Sequence, residues 1–155
     1  MASCCEVFKD FIIIPSVRKL KHFDIALNCP APILLLSEVH IGNLMALVKR
    51  CHEKKKLVFV DVELVGGFAP DHIGLKLMKD MFKVDGIVSS NIMCINFSKT
   101  IDLFTIQRFF LRYSRSFDSG LKPLKISNSD SVEVLQAPLT LALIHICRLQ
   151  LPTLF

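Results

Sequence analysis

Residues 57–90 read LVFVDVELVGGFAPDHIGLKLMKDMFKVDGIVSS, and this stretch decides the fold class. Two short apolar runs, Leu57–Val60 and Gly86–Val88, lie near its ends. Runs this short and this continuously apolar are typical of strands buried on both faces of a parallel sheet. A helical pattern opens between them at Asp71, a favourable N-cap residue that follows Pro70. The stretch therefore predicts a strand–helix–strand unit.

The same alternation continues on both sides of this unit. The further apolar runs are Phe11–Ile14, Ile33–Leu36, Leu103–Ile106 and Val132–Leu135. The apolar stripes of the predicted helices are Leu20, Phe23 and Leu27, then Ile41, Leu44, Met45, Val48 and Cys51, then Ile73, Leu77, Met78 and Met81. The apolar runs lie about 24 residues apart on average, with the helical stripes between them. Strands and helices that alternate in this way predict an α/β fold with right-handed crossovers.

The number of predicted strands and the end of the chain limit the architecture. Six strands are fewer than the eight of a closed barrel, which takes ~200 residues or more. The pattern alone leaves two possibilities, a doubly wound open sheet or a barrel without its last two units. Residues 137–155 are unlike the rest, with 12 apolar residues in 19 and Arg148 as the one charge. We expect one domain over residues 1–136, followed by an atypical tail that is either a packed terminal helix or foreign to the fold.

Composition indicates a soluble globular domain. The chain has 155 residues, of which 52% are hydrophobic and 21% charged. That is enough apolar chain to form a core, and too apolar for a disordered protein. No apolar run approaches the ~20 residues of a membrane helix, and Glu6 and Asp10 interrupt the N-terminus, where a secretory signal would be apolar. We therefore expect a cytoplasmic protein without a membrane partner.

The cysteines and the net charge exclude few function classes and do not assign a function. The six cysteines are scattered without a C-x-x-C pair, so we expect buried thiols in a reducing compartment rather than disulfides or a zinc site. The net charge of +5 permits a nucleic-acid partner without arguing for one.

Five motifs in order along the chain resemble the glycerol-3-phosphate-responsive antiterminators. They are Ile14–Arg18 (IPSVR), His40–Leu44 (HIGNL), Asp85–Ser90 (DGIVSS), Thr105–Leu111 (TIQRFFL) and Val132–Leu135 (VEVL). The resemblance runs from about residue 11 to residue 136. It implies a TIM-type (β/α) barrel, here incomplete with about six parallel strands and the last two β/α units missing. It also implies a regulator that binds leader mRNA of glycerol-uptake operons and responds to glycerol 3-phosphate.

The departures from the family pattern cluster just after strands. Where the family reads His-x-Asp-Leu-Ile-x-Gly, this chain has Asp61–Gly67, and Asn91 stands where the family has a basic residue. Two further departures are Leu111–Tyr113 and Leu135–Ala137, after which the last two strands have no counterpart. Ligands bind at the strand ends of such barrels, so the pattern suggests a retained scaffold with an altered site. We expect glycerol 3-phosphate to bind weakly or not at all, and the unpaired edges of an open barrel to favour self-association.

Polar residues at the predicted strand ends supply the candidate site. Asp61 and Glu63 are two residues apart, so we expect both side chains on the same side of the strand. Such a pair could serve acid–base chemistry or bind Mg²⁺, or it could simply be a solvated strand end. Gln107 and Arg108 should point to opposite faces of their strand. Arg108 either binds a phosphate through its planar fork or pairs with a carboxylate such as Glu133.

Basic clusters offer a second kind of site. Arg18, Lys19 and Lys21 come at the start of the first helix, where cations oppose the helix dipole unless a phosphate binds there. The remaining lysines of interest, which form either an RNA surface or a solvated one, are Lys54–Lys56, Lys76, Lys79 and Lys83. The full set of candidate ligand-binding residues is Arg18, Asp61, Glu63, Ser89, Ser90, Gln107, Arg108 and Glu133.

No motif in the chain predicts catalysis. A Gly-rich phosphate loop, a G-x-S-x-G elbow and a histidine metal pair are all absent from the sequence. His40 and His52 fall at the two ends of one predicted helix, too far apart to share a metal, so we expect cap or surface roles. We therefore expect a non-enzymatic antiterminator without cofactor or metal. The alternatives are a barrel enzyme acting on a small phosphorylated metabolite through Asp61 and Glu63, and a truncated inactive copy.

Overall fold

The computed structural model describes residues 7–8, 13–110 and 126–135. Within them, six parallel strands form one sheet in the order β1-β2-β3-β4-β5-β6. The strands are β1 (Ser16–Val17), β2 (Ile33–Leu36), β3 (Leu57–Asp61), β4 (Gly86–Ser89), β5 (Phe104–Phe110) and β6 (Ser131–Leu135). Among the described residues β1 pairs only with β2, and β6 only with β5. The sheet is therefore a curled half-barrel.

Helices alternate with the strands. They are α1 (Phe23–Asn28), α2 (Ile41–Glu53), α3 (His72–Asp80) and α4 (Ile92–Thr100), and a short 3-10 turn at Leu20–His22 precedes α1. A doubly wound sheet reverses its strand order at a switch point, whereas here every strand lies beside its neighbour in sequence. The consecutive order confirms the predicted TIM-type α/β architecture and excludes the doubly wound alternative.

Local side-chain caps explain where the helices begin. The Asp71 carboxylate accepts a hydrogen bond from the Gly74 N–H at 2.7 Å, as the sequence predicted for the start of α3. His40 caps α2 through Nδ1, which accepts from the Gly42 N–H at 3.1 Å, and Asn91 caps α4. Because each cap comes shortly after a strand, these helices begin at the carboxyl edge of the sheet.

Two apolar layers pack on the two faces of the curled sheet. The outer layer joins strands to helices and includes Val58, Val60, Leu44 and Val48. The inner layer is a separate cluster of Ile33, Leu57, Phe59, Val88 and Ile106. Alternation along β3 produces this division, since Leu57 and Phe59 face inward and Val58 and Val60 outward.

The close approach of the strands depends on a glycine. A Cβ at Gly86 would lie 2.7 Å from the Phe59 ring, which itself stacks on Phe104 at 5.4 Å between centroids.

Two aspartates form hydrogen bonds at the amino edge of the sheet. Asp85 accepts from the Val58 N–H, and Asp130 accepts from the Thr105 N–H. These half-buried hydrogen bonds join the amino end of β3 to that of β4, and the amino end of β5 to that of β6.

Several detailed predictions are wrong. The first strand is Ser16–Val17 rather than Phe11–Ile14, of which residues 11 and 12 lie outside the described part. In α3 the buried residues are Gly74, Leu75 and Met78, while Ile73 is 72% exposed.

Further predictions concern Met45, Lys56, the sixth strand and the C-terminal tail. Met45 in α2 is exposed, and Leu47 is buried in its place. Lys56 is buried instead of solvated, and its ammonium donates to the carbonyls of Cys29 and Ala31. The sixth strand at Ser131–Leu135 is confirmed. The predicted tail, residues 137–155, lies outside the described residues, and no helix in the described part is long and apolar enough to cross a membrane.

Candidate functional site

A cavity of about 680 Å³ lies inside the half-barrel towards the carboxyl ends of the strands. All six strands contribute side chains to it, with an apolar floor and a polar upper part. The floor includes Phe8, Ile14, Leu35, Phe59, Val88 and Ile106. The polar lining is Ser16, Arg18, Ser37, Asp61, Arg108, Ser131 and Glu133. This size and mixture are typical of a small-molecule site.

Arg108 is the centre of the polar part. From β5 its Nε donates to Glu133 on β6 at 2.7 Å, and its Nη1 donates to Asp61 on β3 at 2.6 Å. The Asp61 side chain is 1% exposed and that of Glu133 is 31% exposed. One guanidinium therefore holds two carboxylates, of which one is buried and the other reaches solvent.

The charges in this cluster influence one another strongly. Burial raises the pKa of Asp61, and the hydrogen bond and charge of Arg108 offset that rise only in part. Burial opposes the charge on Arg108 as well, but its bonds to Glu133 and Asp61 outweigh burial and raise the pKa of Arg108. Two carboxylates thus share one guanidinium, so the cluster contains more acidic than basic groups.

The Glu63 side chain reaches from the loop after β3 to the turn between β4 and α4. Four donors converge on its Oε1: the hydroxyls of Ser89 and Ser90 at 2.8 Å each, and the N–H groups of Ser90 at 2.7 Å and Asn91 at 3.2 Å. Partial burial disfavours the charged carboxylate, but the hydrogen bonds from Ser89, Ser90 and Asn91 outweigh it and lower the pKa of Glu63. Glu63 therefore acts as an ionised clamp between the loop after β3 and the start of α4.

The predicted pairing of Asp61 with Glu63 is wrong. Strand β3 ends at Asp61, and the chain turns at once, so strand alternation no longer applies to Glu63. Asp61 bonds Arg108 inside the barrel, whereas Glu63 bonds the serines of the β4 turn. Asp61 is buried, and Glu63, although exposed, is bonded to the β4 turn. The paired carboxylates on which the enzyme alternative depended are therefore not assembled.

The remaining predicted residues have structural partners. Arg18, 68% exposed in its side chain, pairs with Glu38 at 2.9 Å. Gln107 points away from Arg108, as predicted, and its amide donates to the Ser90 carbonyl at 2.9 Å. The structure thus brings Arg18, Asp61, Arg108 and Glu133 to the cavity. It gathers Glu63, Ser89, Ser90 and Gln107 at the β4 turn.

Sequence reasoning missed other polar groups around the cavity. Ser16 on β1 and Ser37, directly after β2, bond each other at 3.0 Å, and Ser131 lines the wall on β6. Their position at or just after an apolar run, in phase with inward-facing neighbours, was the available signal. The two helix-end histidines have the expected structural roles, His40 as a cap and His52 bonded to Asp85 at 2.8 Å.

Among the described residues, no three His, Cys, Asp or Glu side chains come together so as to hold a metal ion.

Six consecutive parallel strands with a polar cavity at their carboxyl ends define a (β/α)-barrel protein with a small-molecule-sized site. The family model described as glycerol-3-phosphate responsive antiterminator matches residues 13–154. The chain belongs to this family, and the resemblance seen in its motifs is confirmed. The family is one of regulatory antiterminators.

Two solved structures share this fold. The glycerol uptake operon antiterminator regulatory protein from Listeria monocytogenes str. 4b F2365 has a TM-score of 0.82 at 24% identity, over 91% of this chain and 76% of that chain. The glycerol uptake operon antiterminator-related protein from Thermotoga maritima MSB8 has a TM-score of 0.78 at 20% identity, over 91% of this chain and 77% of that chain. At these identities the likeness establishes the architecture.

A curated relative is similar in sequence. The uncharacterized protein YgcP from Escherichia coli (strain K12) is 24% identical over 123 residues, which are 79% of this chain and 64% of YgcP. The chain thus spans slightly less than two thirds of the length of that relative.

The Glu63 clamp leads to a test of stability. Because the folded state lowers the pKa of Glu63, its contribution to the free energy of unfolding is complete above pH 4.5 and is lost as the pH falls through the lower, folded value. Glu63→Gln should cost about 1 kcal/mol at pH 7, a modest figure because the residue is exposed. Urea unfolding of the unaltered chain and of Glu63→Gln, at pH 7 and at acid pH, measures this loss in the free energy of unfolding.

The matched control is Glu53→Gln, which removes the same charge from an exposed residue at the end of α2. Its effect should be small at both pH values. An equal loss for Glu63→Gln in acid and at neutral pH would contradict the clamp, because a protonated carboxyl no longer makes charge-assisted bonds.

Proposed function

We propose that this chain is a transcription antiterminator of glycerol-uptake genes, which binds leader RNA and whose cavity takes glycerol 3-phosphate. The observation that carries the proposal is the family match over residues 13–154. The curled half-barrel and its cavity support it, because in this architecture ligands bind at the carboxyl ends of the strands. An antiterminator of this kind needs two surfaces, one for the metabolite and one for RNA.

The cavity supports weak binding of glycerol 3-phosphate. A phosphate requires donors that are free to turn towards it, and Arg108 already bonds Asp61 and Glu133. Arg18 at the rim pairs with Glu38. A charge-assisted hydrogen bond to a phosphate is worth about 1.5–3 kcal/mol, so each occupied cation lowers the affinity roughly ten- to hundredfold.

The RNA surface is proposed at the opposite edge of the sheet. Lys54 and Lys55 come directly before β3, and Lys83 comes shortly before the neighbouring β4. All three are exposed, and none forms an ion pair with another described residue. Lys55 and Lys83 adopt φ values of 58° and 57°, a left-handed conformation that glycine accepts more readily than lysine. Lysine at these positions provides positive charge that a glycine would not.

Open strand edges support self-association. Within residues 13–110 and 126–135, the outer edges of β1 and β6 carry no partner strand. Unpaired edges are templates for pairing with another chain, so we expect mass to rise with concentration. Sedimentation equilibrium of the purified chain measures this, and a monomer at every concentration would contradict it.

RNA binding should depend steeply on salt. Phosphate contacts release counterions, so the affinity for a synthetic leader RNA of a glycerol-uptake gene should fall steadily between about 50 and 200 mM salt. Lys54→Gln, Lys55→Gln and Lys83→Gln combined should reduce the slope of log K against log salt by about two, at about 0.7 for each single-strand phosphate contact. Fluorescence anisotropy over a salt series provides both numbers.

The control is the combination of Lys19→Gln and Lys21→Gln, which changes exposed lysines that follow β1 at the other edge. That variant should keep the slope of the unaltered chain. Absent or salt-insensitive binding would contradict the RNA function. An unchanged slope in the triple variant would contradict the assigned surface.

A further inference from the structure

The cavity contains its own anion. Glu133 lies on the wall of the cavity, and its Oε2 accepts the hydrogen bond from Arg108 Nε at 2.7 Å. A carboxylate in that position makes the same kind of charge-assisted bond that a phosphate or carboxylate ligand would make to a guanidinium. Arg108 is therefore already bound to an anion before any ligand arrives.

We infer that Glu133 is an internal competitor that must leave Arg108 before an anionic ligand can bind in the cavity. The inference deepens the proposed function, on which it rests for the choice of ligand, by naming the residue that sets the affinity. It assigns the site to monoester phosphates or small carboxylates, whose anionic group replaces Glu133 on Arg108.

Of the two carboxylates on Arg108, only Glu133 is placed to be displaced. Its side chain is 31% exposed, so solvent can take up the carboxylate once it turns away. The side chain of Asp61 is 1% exposed and also accepts the N–H of Glu63 at 3.3 Å. Moving Asp61 would leave a buried charge without a partner, which is far more costly than exposing Glu133. Asp61 therefore keeps Arg108 in position while Glu133 exchanges.

The charge balance supports the same conclusion. Asp61 and Glu133 place two carboxylates on the single guanidinium of Arg108, and the surplus carboxylate disfavours a further anion. When Glu133 is displaced into water, Arg108 and Asp61 cancel and the guanidinium regains a donor. A ligand must therefore displace Glu133 and bond Arg108 at the same time, and the cost of the displacement reduces the affinity of the unaltered chain.

Glu133→Gln tests the inference, because it keeps the shape of the side chain and removes the competing charge. Isothermal calorimetry of the full chain with inorganic phosphate and with glycerol 3-phosphate should show at least about a tenfold gain in affinity for both over the unaltered chain, equivalent to one charge-assisted bond becoming available. Glycerol, which has no charge, should show no such gain. Glu133→Ala is the second variant and should show a gain in the same direction.

Glu53→Gln is the matched control, since it removes one negative charge at the end of α2, outside the cavity lining. Its phosphate affinity should equal that of the unaltered chain. Equal affinities for the unaltered chain, Glu133→Gln and Glu133→Ala would overturn the inference, and so would a gain in Glu53→Gln as large as that in Glu133→Gln. A phosphate gain in a chain that binds no leader RNA would uphold the inference while the proposed function fails.

Discussion

The ion pairs of Arg108 join three strands of the half-barrel across its cavity. The guanidinium on β5 reaches Glu133 on the adjacent β6 and Asp61 on β3, with β4 lying between. Asp61 is the buried partner, and loss of Arg108 would leave its charge unpaired, which typically costs about 3–5 kcal/mol. The polarity of the cavity depends on this cluster, while Phe59 of the apolar floor stacks on Phe104.

Much of the fold was predictable because local and global signals agree. The apolar runs at β2, β3 and β4 are short and continuous, and Asp71 caps α3 as its side chain predicts. The α3 stripe failed because this helix buries Leu75 and Met78 with the small Gly74, while Ile73 remains exposed. Helix periodicity indicates that a face exists, but when apolar residues surround a short helix, its packing against α4 and the core decides which face is buried.

The site was predictable in position but not in its bonds. The rule that ligands bind at strand ends located Arg108, Glu133 and Asp61, and neighbouring strands made the pairing of Arg108 with Glu133 foreseeable. The bond to Asp61 was not, because it crosses β4 and depends on the curvature of the sheet. Glu63 was misplaced for a different reason: β3 ends at Asp61 and the chain turns there, so strand alternation does not extend to Glu63.

The most direct test of the central claim, that Arg108 is held between two carboxylates inside the cavity, is the NMR signal of its own Nε–H. This resonance is assigned by its loss in Arg108→Lys. It should be shifted and protected from solvent exchange at neutral pH, because the Nε–H is bonded to Glu133 and the Arg108 side chain is only 12% exposed. Protection should fall in Glu133→Gln. A signal that exchanges as fast as those of the exposed Arg18 and Arg50 would contradict the account.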